Sequence, residues 1–134
     1  MTDMSLTIQP RILCVDDELF ILNALNRHLR SRGEVITTPS ASEALEILSR
    51  QTIDLIITDM RMPEMSGLEL LKRVKDMELP NDPGQILLTG NSEVQDTQEM
   101  LITVGANNIL RKPWVKEELV SAVNQLLKAR LRGL

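Results

Sequence analysis

What this chain has little of narrows its chemistry before any motif is read. Its single cysteine, Cys14, rules out an internal disulfide, which agrees with a reducing compartment. That residue lies inside the apolar run Ile12 to Val15, so the expectation is a small buried core side chain rather than a reactive thiol. With one histidine beside one cysteine, the donors a zinc or copper site prefers are missing. Positive charge is in deficit: 15 Lys and Arg against 19 Asp and Glu give a net charge of -4 and a pI near 5.0. Nothing therefore supplies the field that nucleic-acid phosphates need, and no direct nucleic-acid contact is expected. No apolar run approaches the length that spans a bilayer, and MTDMSLTIQPR lacks the basic start, apolar stretch and small-residue cleavage site of a secretory signal. No membrane segment is expected, and the expected location is cytoplasmic. The phosphate-loop signatures GxGxxG and GxxxxGK do not occur, nor do internal repeats, low-complexity stretches or long linkers.

What remains is enough for one domain, since 134 residues with 43% hydrophobic and 25% charged content bury a core without disulfides or structural metal. Hydrophobic periodicity then alternates regularly between two and 3.6. Ile12 to Val15 reads as a strand and Glu18 to Arg32 as a helix ended by Gly33; Glu34 to Thr37 is a second strand and Ser42 to Arg50 a second helix, with Ala44, Leu45, Ile47 and Leu48 inward. Asp54 to Thr58 makes a third strand ending at Asp59, followed by a helix over Leu68 to Met77. PNDPG leads to a fourth strand, Gln85 to Leu88, ending at Thr89; a fourth helix over Glu93 to Val104, a short fifth strand over Asn108 to Leu110 and a fifth helix from Val115 to Arg130 complete the chain. Right-handed crossovers turn that alternation into an α/β fold, a doubly wound three-layer sandwich around a five-stranded parallel sheet.

Two helices carry more apolar surface than one stripe needs. In the first, Ile21, Ala24, Leu25 and Leu29 share a face, leaving Phe20 and Leu22 as edge packing or a docking patch; His28, on the buried side, is expected to have its polar edge satisfied. In the fifth, Val115, Leu119, Ala122, Val123 and Leu126 point inward, with Val120, Leu127 and Leu131 as a second stripe. That surplus fits a wide core face, a dimer seam or the start of a helical linker to an output domain.

The strands deliver a specific set of groups to one edge of the sheet. Asp16 and Asp17 follow the first strand, Asp59 ends the third, Thr89 ends the fourth, and Lys112 with Pro113 follows the fifth. In open parallel sheets, chemistry collects beyond the carboxyl ends of the strands. Three carboxylates crowded there raise one another's pKa values unless a cation neutralises them, and an all-oxygen donor set suits Mg2+. A carboxylate beside that ion can attack phosphorus and become an aspartyl phosphate; the Lys112 ammonium suits one phosphoryl oxygen, the Thr89 hydroxyl another, and Gly90 leaves room. Taken singly, each residue has an ordinary reading, with Asp16 or Asp17 capping the first helix, Lys112 a solvated charge and Thr89 a strand-end hydroxyl. Their joint occurrence in this order argues for the site.

CVDDE at 14–18, TDMRMPEMSG at 58–67, LLTG at 87–90 and RKPW at 111–114 resemble the receiver domain of two-component response regulators, over essentially residues 10 to 130. The resemblance implies a flavodoxin-like fold with strand order 2-1-3-4-5, a tail over 1–9, a receiver domain over 10–131, and 132–134 as a tail or the start of a linker. It implies that Asp59 accepts a phosphoryl group from a histidine kinase or histidine phosphotransfer protein, and that the protein catalyses only its own phosphorylation and dephosphorylation. Asp17, Asp59 and the backbone carbonyl of Arg61 would hold Mg2+, with Asp16 reaching it through water; the Lys112–Pro113 bond would be cis; and Arg61 and Asn91 would tune phosphoryl lifetime. Pro63 would stiffen the loop after Asp59, and Gly67 would turn the backbone into the third helix.

One departure bears on the readout. Receivers usually carry Tyr or Phe three residues before the lysine, whereas this chain has Ile109 and no tyrosine anywhere. In the family, the threonine moves toward the phosphoryl group and the ring swings inward, reshaping the face of the fourth helix, fifth strand and fifth helix, through which a homodimer can form. Thr89 and Ile109 are the switch positions here, and Ile109 fills space without a ring to flip; a coupling of about 1–3 kcal/mol to partner binding would be ordinary. Two other classes are weighed against a switch. A phosphatase of the haloacid dehalogenase type needs an aspartate two residues after its nucleophile, where Arg61 stands; a pseudo-receiver acting only as an interaction module does not need the intact set of Asp16, Asp17, Asp59, Thr89 and Lys112.

Overall fold

The sheet is built from β1 (Arg11–Val15), β2 (Glu34–Thr38), β3 (Leu55–Asp59), β4 (Gly84–Thr89) and β5 (Ile109–Arg111), with helices α1 (Leu19–Leu29), α2 (Ala41–Arg50), α3 (Gly67–Asp76) and α4 (Lys116–Arg132) packed on it. In this computed structural model the described residues are 9–90, 102–103 and 108–132, with the backbone alone for 130–132. The predicted fourth helix, Asn91 and Leu131's side chain lie outside them, so α4 is the fifth helix of the sequence reading. Strand order is β2-β1-β3-β4-β5 and every pairing is parallel, the flavodoxin-like arrangement that the resemblance implies.

β3 explains why its sequence is apolar without alternation. It lies between β1 and β4 with helices over both faces, and all five of its residues are buried. Side chains alternating along each strand feed two separate cores. Leu13, Val15, Ile56 and Leu87 meet Ala44, Ile47 and Leu48 of α2 and Leu70, Leu71 and Val74 of α3. On the opposite face Ile12, Cys14, Leu55, Ile57, Ile86 and Leu88 meet Leu22, Leu25 and Leu29 of α1 and Leu119 and Val123 of α4. Slipping β3 by one residue would exchange the two sets and break both cores, so the register that aims Asp59 outward is strongly held.

The helix starts follow from local chemistry. Ser40 caps α2 by accepting from the Glu43 N–H at 3.2 Å, and Ser66 caps α3 by accepting from the Glu69 N–H at 3.0 Å. α1 has no side-chain cap at its N-cap residue Glu18. Its end also differs from expectation: it stops at Leu29 with Arg30 as a right-handed C-cap, and Gly33 is not left-handed. Glycine is needed there because a Cβ would overlap the Pro10 carbonyl, whose oxygen also accepts from the Glu34 N–H at 2.8 Å.

Two apolar assignments need correction. Leu22 is buried and makes an i, i+3, i+7 stripe with Leu25 and Leu29, while Ile21 and Ala24 are only half-buried; the α1 entry point presents Leu19 and Phe20 instead. Val115 precedes α4 and is 52% exposed, so it is not part of the inward stripe. Val120, Ala122, Leu126 and Leu127 pack against the core from half-buried positions, which makes much of the double stripe of α4 a wide core face.

Candidate functional site

Asp16 follows β1 with its side chain fully buried, and Asp59 closes β3 with 5% exposure, while Asp17 faces solvent. One carboxylate oxygen from each lies within 4.8 Å of the others. The topology creates this meeting: β1 and β3 are neighbours, so consecutive parallel strands release their acids at the same edge. Lys112 enters from one residue past β5, where its backbone N–H donates to the Thr89 carbonyl at 2.7 Å. Its ammonium donates to Asp59 Oδ1 at 3.0 Å and Asp16 Oδ2 at 3.1 Å, with Glu18 Oε1 at 3.5 Å. Glu18 as a further partner of the lysine was not anticipated. The Lys112–Pro113 peptide is cis, as the resemblance implies.

The electrostatics are those of a site short of positive charge. Burial pushes the Asp16 carboxyl up to about 6 and the nearby Asp59 charge adds to the rise, against the Glu18 N–H at 2.9 Å and Lys112. Burial likewise raises Asp59, with Lys112 opposing and Asp17 reinforcing. Burial would lower the Lys112 ammonium, but the hydrogen bonds and charges of Asp59 and Asp16 outweigh it and its pKa is raised. One ammonium faces three clustered aspartates, two of them withdrawn from water, so the arrangement favours a further cation. The donors are all oxygen, and the exposed Asp17 leaves the cluster a side open to water, which fits an ion that keeps several waters.

The other expected residues fall at defined places around this cluster. Thr89 is buried at the end of β4, one residue beyond Leu88, the register partner of Asp59. Arg61, two residues past Asp59, has an exposed side chain. Ile109 pairs with Leu87 and packs half-buried against the α2–α3 core, so it fills space at the edge of the sheet as anticipated. Asn91 lies outside the described residues. Cys14 is buried with its thiol pushed up to about 12, first by burial and then by the Asp16 charge, which leaves it inert at neutral pH. His28 has its polar edge satisfied: its Nδ1 accepts from Trp114 Nε1 at 3.0 Å, with the rings edge-on and 6.0 Å apart.

Gly67 serves a purpose other than the one its position in a turn suggests. Its φ is not left-handed; a Cβ would overlap the Asp59 carbonyl oxygen and stand 2.9 Å from that carbonyl carbon and 3.0 Å from Leu87 Cδ1. The glycine thus lets α3 begin directly against the end of β3, where the Gly67 N–H donates to the Met60 carbonyl at 2.8 Å. A second unanticipated contact fastens the intervening loop. Glu64 accepts from Ser40 Oγ at 3.0 Å, Ser42 Oγ at 2.7 Å and the Ser42 N–H at 3.3 Å, all at the start of α2.

Comparison with known proteins gives the same reading. The chain is 37% identical over 123 residues to the hydrogenase transcriptional regulatory protein HoxA of Bradyrhizobium diazoefficiens, covering 92% of this chain and 25% of that protein. It is 40% identical over 117 residues to the response regulator SaeR of Staphylococcus epidermidis, covering 87% and 49%. The chain therefore spans about a quarter to a half of the length of these relatives. Among solved structures, the receiver domain of a response regulator from Clostridium thermocellum superposes with a TM-score of 0.82 at 33% identity, covering 93% of this chain and 99% of that one. The signal receiver domain of an HD domain-containing protein from Pseudomonas fluorescens gives 0.83 at 30%, covering 92% and 98%. The family model for the response regulator receiver domain matches residues 12–124, and a match over that much of the chain places it in the receiver-domain family of response regulators.

Proposed function

We propose that this receiver accepts a phosphoryl group on Asp59 from a phosphorylated histidine of a kinase or phosphotransfer protein, and that the protein catalyses that transfer and the later hydrolysis itself. The observation that carries the reading is the Lys112 ammonium held between Asp59 and Asp16 at 3.0 and 3.1 Å inside a cluster of three carboxylates. An Asp59 oxygen forms the new bond to phosphorus as the phosphorus–nitrogen bond breaks, and the released imidazole nitrogen keeps the electron pair and takes a proton. In hydrolysis, water attacks the same phosphorus and the Asp59 carboxylate leaves. Lys112 and the Thr89 hydroxyl bind phosphoryl oxygens, which orients the group and stabilises its charge. Asp16, Asp17, Asp59 and the Arg61 backbone carbonyl hold Mg2+, which when bound neutralises the approach of two anionic groups. Arg61 and Asn91 tune lifetime, and Thr89 with Ile109 carries the switch.

The signal passes to a partner rather than to a substrate. The receiver domain covers 10–131, flanked by tails over 1–9 and 132–134, and works in the cytoplasm with its kinase. Leu19 and Phe20, 71% and 65% exposed at the start of α1, lie beside the acidic edge and suit contact with the histidine donor. Because HoxA and SaeR are regulators longer than this chain, an output domain following α4 is one readout, and a homodimer through the fourth predicted helix, β5 and α4 is the other.

The test is labelling with acetyl phosphate and Mg2+, read by mass spectrometry. Wild type gains one phosphoryl group and Asp59→Asn gains none. Equal addition to both proteins overturns the assignment.

A further inference from the structure

The loop from Met60 to Ser66 carries the Arg61 carbonyl assigned to the metal, and its fastening points are visible. At its base the Met60 N–H donates to the Leu88 carbonyl at 2.9 Å and the Gly67 N–H closes back onto the Met60 carbonyl at 2.8 Å. Between these anchors the loop reaches across to α2, where one side chain, Glu64, takes three hydrogen bonds from Ser40 and Ser42. The acceptor is well matched to that place. The first turn of a helix has backbone N–H groups without intrahelical partners and a positive dipole end, so a carboxylate is favoured there. Ser40 serves twice, because its hydroxyl also caps α2 through the Glu43 N–H. Those hydrogen bonds hold the Glu64 carboxyl below the usual range, so it stays ionised through the neutral region.

We propose that Glu64 is a positioning residue: its carboxylate clasps the β3–α3 loop to the start of α2 and so fixes where the Arg61 carbonyl stands beside Asp59, setting the affinity of the site for Mg2+. The inference rests on the metal assignment made above. Glu64 touches none of the reacting groups, and its position three residues past Arg61 lets it restrain the carbonyl without contributing a ligand. α2 gains a second function through this contact. Its N-terminus, with Ser40 and Ser42, becomes the fixed point against which the loop is held.

The experiment measures Mg2+ binding by calorimetry and backbone amide exchange in metal-free protein, for wild type, Glu64→Ala, Glu64→Gln and Ser42→Ala. The expectation is a Mg2+ dissociation constant about tenfold weaker in Glu64→Ala, the lower end of what outer partners of metal ligands contribute. Faster exchange of the Ser42 amide should accompany it, with the thermal midpoint nearly unchanged. Glu64→Gln keeps acceptor oxygen and should recover most of the affinity. Combining Ser42→Ala with Glu64→Ala should weaken binding no further than Glu64→Ala alone, because both remove one contact. Unchanged Mg2+ affinity in Glu64→Ala overturns the clasp, as does additive loss in the double variant. If wild type itself binds no Mg2+, the metal assignment fails instead, and the two failures are distinct.

Discussion

Replacing Gly67 with alanine tests whether close packing at the end of β3 sets the geometry of the acceptor. The added Cβ has no free volume: it overlaps the Asp59 carbonyl oxygen and stands 2.9 Å from its carbon and 3.0 Å from Leu87 Cδ1. The Leu87 methyl can rotate away, but the carbonyl belongs to the backbone of the central strand, so α3 must withdraw or β3 must bend. Forcing one methyl into a packed site costs roughly 1–3 kcal/mol, and the better helix propensity of alanine offsets less than about 1 kcal/mol of that. For a chain of 134 residues, each kcal/mol lowers the thermal midpoint by about 3–4 °C, so a fall of roughly 3–12 °C is expected and the protein still folds. The larger effect falls on chemistry. A displacement near 1 Å at a reacting group can cost about a hundredfold in rate, so labelling by acetyl phosphate should slow by at least tenfold at saturating Mg2+. Calorimetry and timed mass spectrometry measure the two effects on one sample. A variant as stable and as rapidly labelled as wild type would refute the argument that α3 must start in contact with the phosphoacceptor strand.

Three further outcomes follow from the same cluster. Lys112→Met leaves Asp16 and Asp59 buried without their ammonium, so in chelator it should lose about 3 kcal/mol in urea unfolding, with part restored by Mg2+; an unchanged midpoint in chelator would show that the lysine bears little of that charge. The Asp16 carboxyl is raised to about 6 in the folded protein from 3.8, so the native state binds the extra proton between those values, and metal-free stability should rise by up to about 3 kcal/mol as pH falls through that window. Asp16→Asn should flatten this rise, whereas His28, whose pKa is lowered mainly by burial, works in the opposite direction; equal pH profiles for wild type and Asp16→Asn would remove Asp16 as the cause. Trp114, two residues past Lys112 and hydrogen-bonded to His28, should change its emission on Mg2+ titration, and a constant spectrum to saturation would show that the lysine loop does not respond to the ion.

The parts of the molecule legible from sequence were those governed by short-range pattern. Apolar runs ending in acids marked β1 and β3, and once a parallel sheet was inferred, the convergence of Asp16, Asp59, Thr89 and Lys112 at one edge followed from topology. Contacts set by distance across the fold were not legible. Leu22 looked like an edge residue because the rotation of α1 on the sheet is fixed by packing against α4 and β1, which periodicity alone does not give. Gly33 and Gly67 looked like turn glycines, yet each exists to admit a carbonyl from a neighbouring segment, a requirement that leaves no local signature. Glu64 carried no signal at all, since its partners lie 22 and 24 residues earlier.

Lys112 has a mechanical consequence as well as a chemical one. Its ammonium ties the first and third strands while its main-chain nitrogen is bonded to the fourth, so a single residue stitches three strands across the sheet. Any event that draws that ammonium toward a newly arrived anion also tugs the peptide leading into α4. The outermost strand, only three residues long, offers the least resistance to such a pull. A message written at the buried acid would therefore travel outward as strain along this thread, reaching the rim of the sheet without requiring the interior to repack.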